Sequence, residues 1–562
     1  MATSRLSYIH QPVTFQYMYE TVTDRLRILA EEDPDREAFV FYGYDQKRQS
    51  LTRKEILDLS TNTAKHLILS GVKKGTHVAV CMSNSIEMLV AIIGVTLAGG
   101  IPFFSPGNLK DGTDLIDMMN TLNGEFLIID ASKGDDNWNI IENIWPRSEK
   151  SSEKVPSLKM ILFNGTGPLD SGLTSSTLQS LRDFFKEPVS STDVNMPVLQ
   201  PEDHLAYFCT SGSTGAPKTV TYTHFGTLNW TKSCDITMNI SAESRMFLDR
   251  TFSWVVGYPR TYLTEGTTRI FVDNRMTLAG KHTEFLCNII ERERCDVVFL
   301  PGYIARDVIN MPSLVDNFKN VKHIYMGGER MKKVFYDSLI GKYCKYLSTL
   351  YGLTEMGGSL VYSNTTSPFE DGIVGKPVQG MELKIINSDG AVVQTGEQGE
   401  ICLRSVWRLV AYHGMEQQFR QTVDNENWLH TGDIGHLRDD GNVIVHGRYK
   451  EWISSGTNKF FPWMIENVLG TMPGVAQVFA VGVPDPRLGQ VVCACVMPKP
   501  DMRLTEEDLK TFCDGKFLTE STALGISCKP RYHFIMDSIP LLGSGKIDRI
   551  KIGAMAKERF GL

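Results

Sequence analysis

Apolar residues recur at helical spacing over about residues 15–30, and the chain then turns at Asp33-Pro34-Asp35. A second helix is predicted from residue 52 to 69, stopping at Gly71, with Thr52 as N-cap and Glu55 three residues on. That spacing is the capping box, in which each side chain satisfies the other's backbone N–H. Residues 78–82 read as a buried strand, and a buried helix follows from Met88. Residues 126–130, 159–163, 205–209, 295–301 and 321–326 are further short apolar runs, as expected of strands covered on both faces. Strands alternating with helices predict an α/β domain with a mostly parallel sheet, whose ligands bind beyond the C-terminal strand ends. Residues 165–203 are rich in Ser, Thr, Pro and Gly and read as a surface excursion, with one helical patch near 178–185. Past about Pro377 the runs shorten, as at 382–386 and 400–404, and Asp389-Gly390 and Asp440-Gly441 are tight-turn signals. An antiparallel β subdomain is predicted there. From Arg448 shorter helices and strands alternate to the end.

Bulk properties narrow this picture. At 562 residues one core is not enough, so a large and a smaller domain are expected. A net charge of −7 without a basic block argues against nucleic acid as a partner. The apolar stretch 88–104 is shorter than the roughly 20 residues of a membrane span and is broken by glycines and Pro102. The 11 cysteines are scattered without a CxxC pair, which fits core thiols in a reducing compartment. Cys493 and Cys495 read as strand alternation, and no structural zinc is expected. The cytoplasm is the expected location, with the mitochondrial matrix the alternative, and Phe560-Gly561-Leu562 is not a peroxisomal tripeptide.

Chemistry gathers first at Thr210-Ser211-Gly212-Ser213-Thr214-Gly215-Ala216-Pro217-Lys218. Two glycines let backbone N–H groups turn inward, and the hydroxyls and Lys218 add donors, so the loop suits a polyphosphate. A flexible Ser/Gly surface loop is the plainer alternative. Pro217 before Lys218 excludes a Walker A loop, which has glycine there. Three more clusters follow: Tyr351-Gly352-Leu353-Thr354-Glu355; Trp428-Leu429-His430-Thr431-Gly432-Asp433 with Arg448 and Lys450 beyond; and Gly543-Ser544-Gly545-Lys546. Each alone has a bland reading, as a core aromatic, a turn acid or a solvated lysine.

In this order and spacing the four clusters resemble the adenylate-forming superfamily of acyl-CoA synthetases, firefly-type luciferases and peptide-synthetase adenylation domains. The likeness runs from about Asp33 to Lys546 and is drawn most to eukaryotic short- to medium-chain fatty acyl-CoA synthetases. It implies a large AMP-binding domain at 1–447, a hinge at 448–450 around Lys450, and a small mobile α+β domain at 451–562. The large domain would combine parallel-sheet α/β subdomains with the antiparallel one.

The resemblance also assigns roles. Thr210, Ser211, Gly212, Ser213, Thr214, Gly215 and Lys218 would hold the β- and γ-phosphates of ATP. Glu355 would position Mg²⁺, and Thr354 would stand beside the α-phosphate. Adenine would lie between Gly328-Glu329 and the ring of Tyr351, next to Gly352. Asp433 would accept both ribose hydroxyls, with Arg448 as its companion. Lys546 would bridge the attacking carboxylate and the α-phosphate, and rotation about Lys450 would then withdraw it to admit the thiol. Ser455 and Gly456 would lie near the thiol tunnel. Ser253, Trp254 and Gly257 fall on the acyl-pocket wall. Amino-acid-activating members carry aspartate at the position of Ser253, so a buried ammonium would lack its partner here. Trp254 stands where luciferase-like members have histidine, and its indole favours an apolar acid, a core role being the alternative. Few residues follow Lys546, so a diffusible acceptor, coenzyme A, is expected. A luciferase-like oxygenase, an aryl-acid ligase and a non-catalytic nucleotide-binding protein are the rival readings. Thr219, Thr457, Met464 and Leu542 depart from the family pattern.

Overall fold

The computed structural model describes residues 5–104, 112–132, 134–145, 151–165, 178–186, 188–190, 194–210, 218–278, 282–363, 368–405, 407, 412–456, 458–500, 502–517, 528–541 and 547–562. Its predicted α/β pattern resolves into sheets of 14, 7 and 5 strands among those residues.

The 7-stranded sheet runs parallel through Ile101–Phe104, His77–Cys81, Phe126–Asp130, Met160–Asn164 and Leu178–Ser180. On its other side His204–Cys209 also joins in parallel, and Thr219–Thr223 closes that edge antiparallel. The 14-stranded sheet has a parallel block of Glu37–Tyr42, Thr268–Val272, Arg245–Phe247, Val297–Phe299, His323–Gly327 and Tyr346–Leu353. From Gly357–Ser363 the sheet continues antiparallel through Ile373–Pro377, Val443–Arg448, Leu429–Leu437, Gly399–Ser405 and Met381–Ile386. The antiparallel part expected as a subdomain is therefore hydrogen-bonded continuously to the parallel block. Tyr8–His10 adds the last strand, pairing with Met381–Ile386.

Local signals set the helices. Arg53–Leu69 begins with the predicted Thr52/Glu55 capping box, both halves formed. The first helix is shorter than its periodicity suggested: it spans Val22–Glu32, because Thr21 and Asp24 form a capping box that starts it there. In Ile86–Leu97 every residue from Met88 to Leu97 is buried, as its uniform apolarity requires of a helix packed between the two large sheets. The excursion at 165–203 is more structured than expected: Leu178–Ser180 pairs with Met160–Asn164, and Leu181 and Phe184 are buried. No helix of the described residues is long and apolar enough to cross a membrane.

The 5-stranded sheet, of Ile453–Ser455, Asn458–Phe460, Val475–Asp485, Gly489–Pro498 and Tyr532–Ile535, has its own apolar clusters. Three helices pack with it: Pro462–Leu469, Glu506–Lys516 and Arg549–Phe560. It meets the large sheet where the Arg330 guanidinium lies 4.2 Å from the Trp463 ring centroid and Asn467 Nδ2 donates to Asp371 Oδ2 at 3.3 Å.

Candidate active site

Val297–Phe299, His323–Gly327 and Tyr346–Leu353 lie side by side and parallel, so their C-terminal ends open onto one edge of the sheet. The turn after His323–Gly327 carries Gly328 and Glu329, and Glu329 pairs with Arg306 at 3.2 Å. Thr354 and Glu355 form the turn after Tyr346–Leu353 and lead into Gly357–Ser363. Gly357 has φ +68, and a Cβ there would stand 2.1 Å from Cε2 of buried Trp230, so only glycine fits this turn.

Two buried tyrosines hold that turn. Tyr222 donates its hydroxyl to the Thr354 carbonyl at 2.5 Å, and Tyr412 donates to Glu355 Oε1 at 2.7 Å. Burial, with the Glu355 charge behind it, pushes both phenols far above the ordinary tyrosine range, so they remain donors. Lys218 Nζ lies 4.6 Å from the Tyr412 ring centroid. Thr210 and Lys218, which flank residues 211–217, are joined: Thr210 N–H donates to the Lys218 carbonyl at 2.9 Å beside the antiparallel pair His204–Cys209 and Thr219–Thr223. Ser211, Gly212, Ser213, Thr214 and Gly215 lie outside the described residues. Thr219, a departure from the family pattern, is a buried strand residue whose carbonyl accepts His413 N–H.

A bulge presents Asp433. Cys402 pairs with His430 and Glu400 with Ile434, so one residue, Ile401, faces three, Thr431 to Asp433. The extra residues are pinned. Gly432 N–H donates to Glu400 Oε1 at 3.0 Å, Thr431 Oγ1 donates to the Ile401 carbonyl at 2.7 Å, and Asp433 N–H donates to Thr431 Oγ1 at 3.0 Å. The Asp433 carboxylate then accepts Tyr351 Oη at 2.5 Å on Oδ2 and Arg448 Nε at 3.3 Å on Oδ1. Burial raises its pKa, opposed by these two donors. The structure thus joins Tyr351, Asp433 and Arg448 in one hydrogen-bonded group, with the Thr354-Glu355 turn starting three residues after Tyr351.

The segment 248–257 is clamped from behind. Asn84 binds the Asp249 and Arg250 carbonyls and the Phe252 amide, and wholly buried Arg269 donates to the carbonyls of Leu248, Arg250 and Gly257. Burial lowers the Arg269 pKa to about 9, partly offset by Asp249. Gly257 is buried within this segment. A Cβ there would sit 1.8 Å from the Thr251 carbonyl, so its missing side chain serves the segment's own folding. Ser253 Oγ pairs with Thr251 Oγ1 at 2.7 Å. The half-buried Trp254 is flanked by Arg250, 5.9 Å from its ring, and that guanidinium is gripped by Asp249 and Tyr303. The segment thus sets an aromatic ring beside an internal ion pair.

Lys450 is exposed in the single turn Tyr449–Glu451. Ser455 is buried, and Gly456 N–H donates to the Leu488 carbonyl at 2.8 Å. Lys546, Thr457 and Leu542 lie outside the described residues. Met464 is exposed, and Glu466 of the same helix binds Arg549 at 2.7 Å.

The sequence model of the AMP-binding enzyme family matches residues 26–413, and that of the AMP-binding enzyme C-terminal domain matches 464–546. The chain belongs to the AMP-binding enzyme family. It is accordingly an enzyme of the adenylate-forming superfamily, the class of AMP-forming CoA ligases that draws on ATP, Mg²⁺ and coenzyme A. A putative acyl-CoA synthetase, YngI, of Bacillus subtilis (strain 168) is 25% identical over 97% of this chain and 99% of its own length. The Homo sapiens mitochondrial medium-chain acyl-CoA ligase ACSF2 is 24% identical over 99% of this chain and 91% of its own. Among solved structures, ATP-bound MatB of Rhodopseudomonas palustris superposes with TM-score 0.79 at 18% identity, over 97% of this chain and 100% of its own. The Bacillus subtilis o-succinylbenzoate CoA synthetase with ATP and magnesium gives 0.76 at 20%, over 95% and 99%.

Glu355 fits a magnesium ligand. It is a half-buried carboxylate, hence a hard oxygen donor, and Tyr412 steers one of its oxygens while substrate phosphates and water would complete the shell. Tyr222, Tyr412, Glu400 and Thr431 are the site residues that sequence reasoning missed. Tyr222 stands in a threonine-rich strand and Tyr412 beside His413, and neither belongs to a motif, whereas Thr431 sits inside one.

Proposed function

We propose that the protein is an ATP-dependent acid–thiol ligase that adenylates an apolar short- to medium-chain fatty acid and passes the acyl group to coenzyme A. The observation that carries this reading is the joined group Tyr351–Asp433–Arg448, with the Tyr412-held Glu355 beyond it. Medium-chain acyl-CoA ligases among the relatives support the acid class.

A thiol cannot displace oxide from a carboxylate, so the acid must first gain a better leaving group. Asp433 would orient the ribose, Tyr351 would give adenine a flat wall, and Thr354 would stand beside the α-phosphate. Thr210 to Gly215 and Lys218 would hold the leaving pyrophosphate, and Mg²⁺ carried by Glu355 would supply charge neutralisation there. Lys546 would draw the acid carboxylate to phosphorus, and preorganised donors of that kind are each worth about 3–4 kcal/mol. The large domain at 1–447 and the small one at 451–562 would turn about 448–450, with Lys450 as pivot, to expose Ser455 and Gly456 to coenzyme A. A cytoplasmic or mitochondrial matrix location is part of the same reading.

The test is a panel of carboxylic acids assayed for acid-dependent ATP–pyrophosphate exchange and coenzyme A-dependent AMP release. Saturated acids of short to medium length should give both, and Lys546→Ala should lose exchange by at least a hundredfold. Exchange without coenzyme A-dependent AMP release would remove the thiol as acceptor. Full exchange by Lys546→Ala would remove the role given to that lysine.

A further inference from the structure

The scattered cysteines predict no metal site, yet sheet register assembles one set of donors. Glu400 and Cys402 stand two apart on Gly399–Ser405, so their side chains share a face, and His430 lies opposite Cys402 on the adjoining strand. His430 Nδ1 is 3.0 Å from Glu400 Oε2 and 3.7 Å from Cys402 Sγ, and the three donor atoms all fall within 4.8 Å of one another. Tetrahedral zinc, with bonds of roughly 2.0–2.3 Å, keeps its ligands roughly 3.3–3.7 Å apart, so the donors need only small side-chain adjustments.

The histidine carries a second indication. Its Nε2 lies 3.5 Å from Asp424 Oδ2, so the ring stands between two carboxylates. With Nε2–H turned to Asp424, the Nδ1 lone pair would be the ring's donor atom on the side of Glu400 and Cys402. A carboxylate behind a ligating histidine is the usual outer support of a bound metal.

We propose that Glu400, Cys402 and His430 form a binding site for Zn²⁺, separate from the magnesium position at Glu355, with a fourth position open to water. Thiolate and imidazole donors select zinc-like ions over Mg²⁺ and Ca²⁺. Binding breaks the Cys402 S–H bond, forms the S–metal bond and releases the proton to solvent. Lys384 stands across the next strand pair from Cys402, but its ammonium lies over the Trp428 ring, 4.5 Å from the centroid and 4.0 Å from Glu426. Glu400 offers Oε2 to the metal while Oε1 keeps the Gly432 amide, so the ion would be tied to the bulge that carries Asp433.

The test titrates the reduced, metal-stripped full chain with Co²⁺, followed by thiolate-to-cobalt charge-transfer absorption, with Zn²⁺ as competitor. One equivalent should bind with that band, Cys402→Ser should abolish it, and His430→Gln should weaken binding at least tenfold. Absence of the band in the unsubstituted protein, or its persistence in Cys402→Ser, overturns the proposal. X-ray absorption of the Zn²⁺-loaded unsubstituted protein reads the site without any variant. One sulfur among nitrogen and oxygen neighbours supports it, and no sulfur or several overturns it.

Discussion

A carboxylate that carries a divalent ion beside a polyphosphate must stay charged without being captured by a neighbouring cation. At Glu355 the partner is the neutral Tyr412 hydroxyl, and the nearby Lys218 ammonium rests over the tyrosine ring. Tyr412→Phe removes a hydrogen bond to a charged group, worth about 1.5–3 kcal/mol. Adenylate formation should slow roughly ten- to hundredfold, with the Mg²⁺ dependence moved to higher concentration and Mn²⁺ restoring part of the rate. Single-turnover pyrophosphate release across a metal titration measures both, and an unchanged metal dependence would remove Tyr412 from this role. The carboxylates and hydroxyls at 354, 355 and 433 were legible in the sequence because short polar motifs announce themselves among apolar strands. Tyr222 and Tyr412 were not, since a tyrosine outside any motif reads as core until its hydroxyl is seen to meet a partner far along the chain.

At the scale of single elements, the bulge Thr431 to Asp433 depends on Thr431 Oγ1, which donates to one backbone group and accepts from another. Thr431→Val leaves both unpaired at about 1–3 kcal/mol, so ATP affinity should fall roughly ten- to hundredfold by calorimetry while the fold persists. The helix His224–Met238 holds a different device. Asp235 is wholly buried, with its pKa raised by burial to about 7, partly countered by Arg260 and the Thr264 hydroxyl. The folded state therefore keeps a proton that the unfolded chain loses near pH 4. Stability tied to Asp235 is present at low pH and is lost as pH climbs towards 7, at about 1.4 kcal/mol per pKa unit at most. Thermal midpoints of the unsubstituted protein should fall relative to Asp235→Asn between pH 5 and pH 7, and parallel pH profiles would contradict this. Capping boxes were legible because they span three residues. The pairing of Cys402 with His430 was not, since register between strands depends on how the intervening bulge is counted.

Across the whole molecule, the small sheet docks on the large one through Arg330 over Trp463 and through Asn467 to Asp371. A desolvated cation–π contact contributes about 0.5–2 kcal/mol, so Trp463→Ala should shift the balance of domain arrangements by up to roughly thirtyfold. Fluorescent labels on either side of Lys450 would report the change as a broader distance distribution, and an unaltered distribution would show that other contacts hold the arrangement. The alternation of strands and helices was legible from periodicity. The joining of parallel and antiparallel parts into one 14-stranded sheet was not, because nothing local marks which edges meet. One of those edges has a cost in time. The strand Tyr8–His10 is synthesised well before its partner, Met381–Ile386. At translation rates of about 5–20 residues per second, that segment waits roughly 20–75 seconds as an unpaired strand. Over that interval the backbone groups of this short segment are left to water, and this edge of the sheet can close only once its later third has been made.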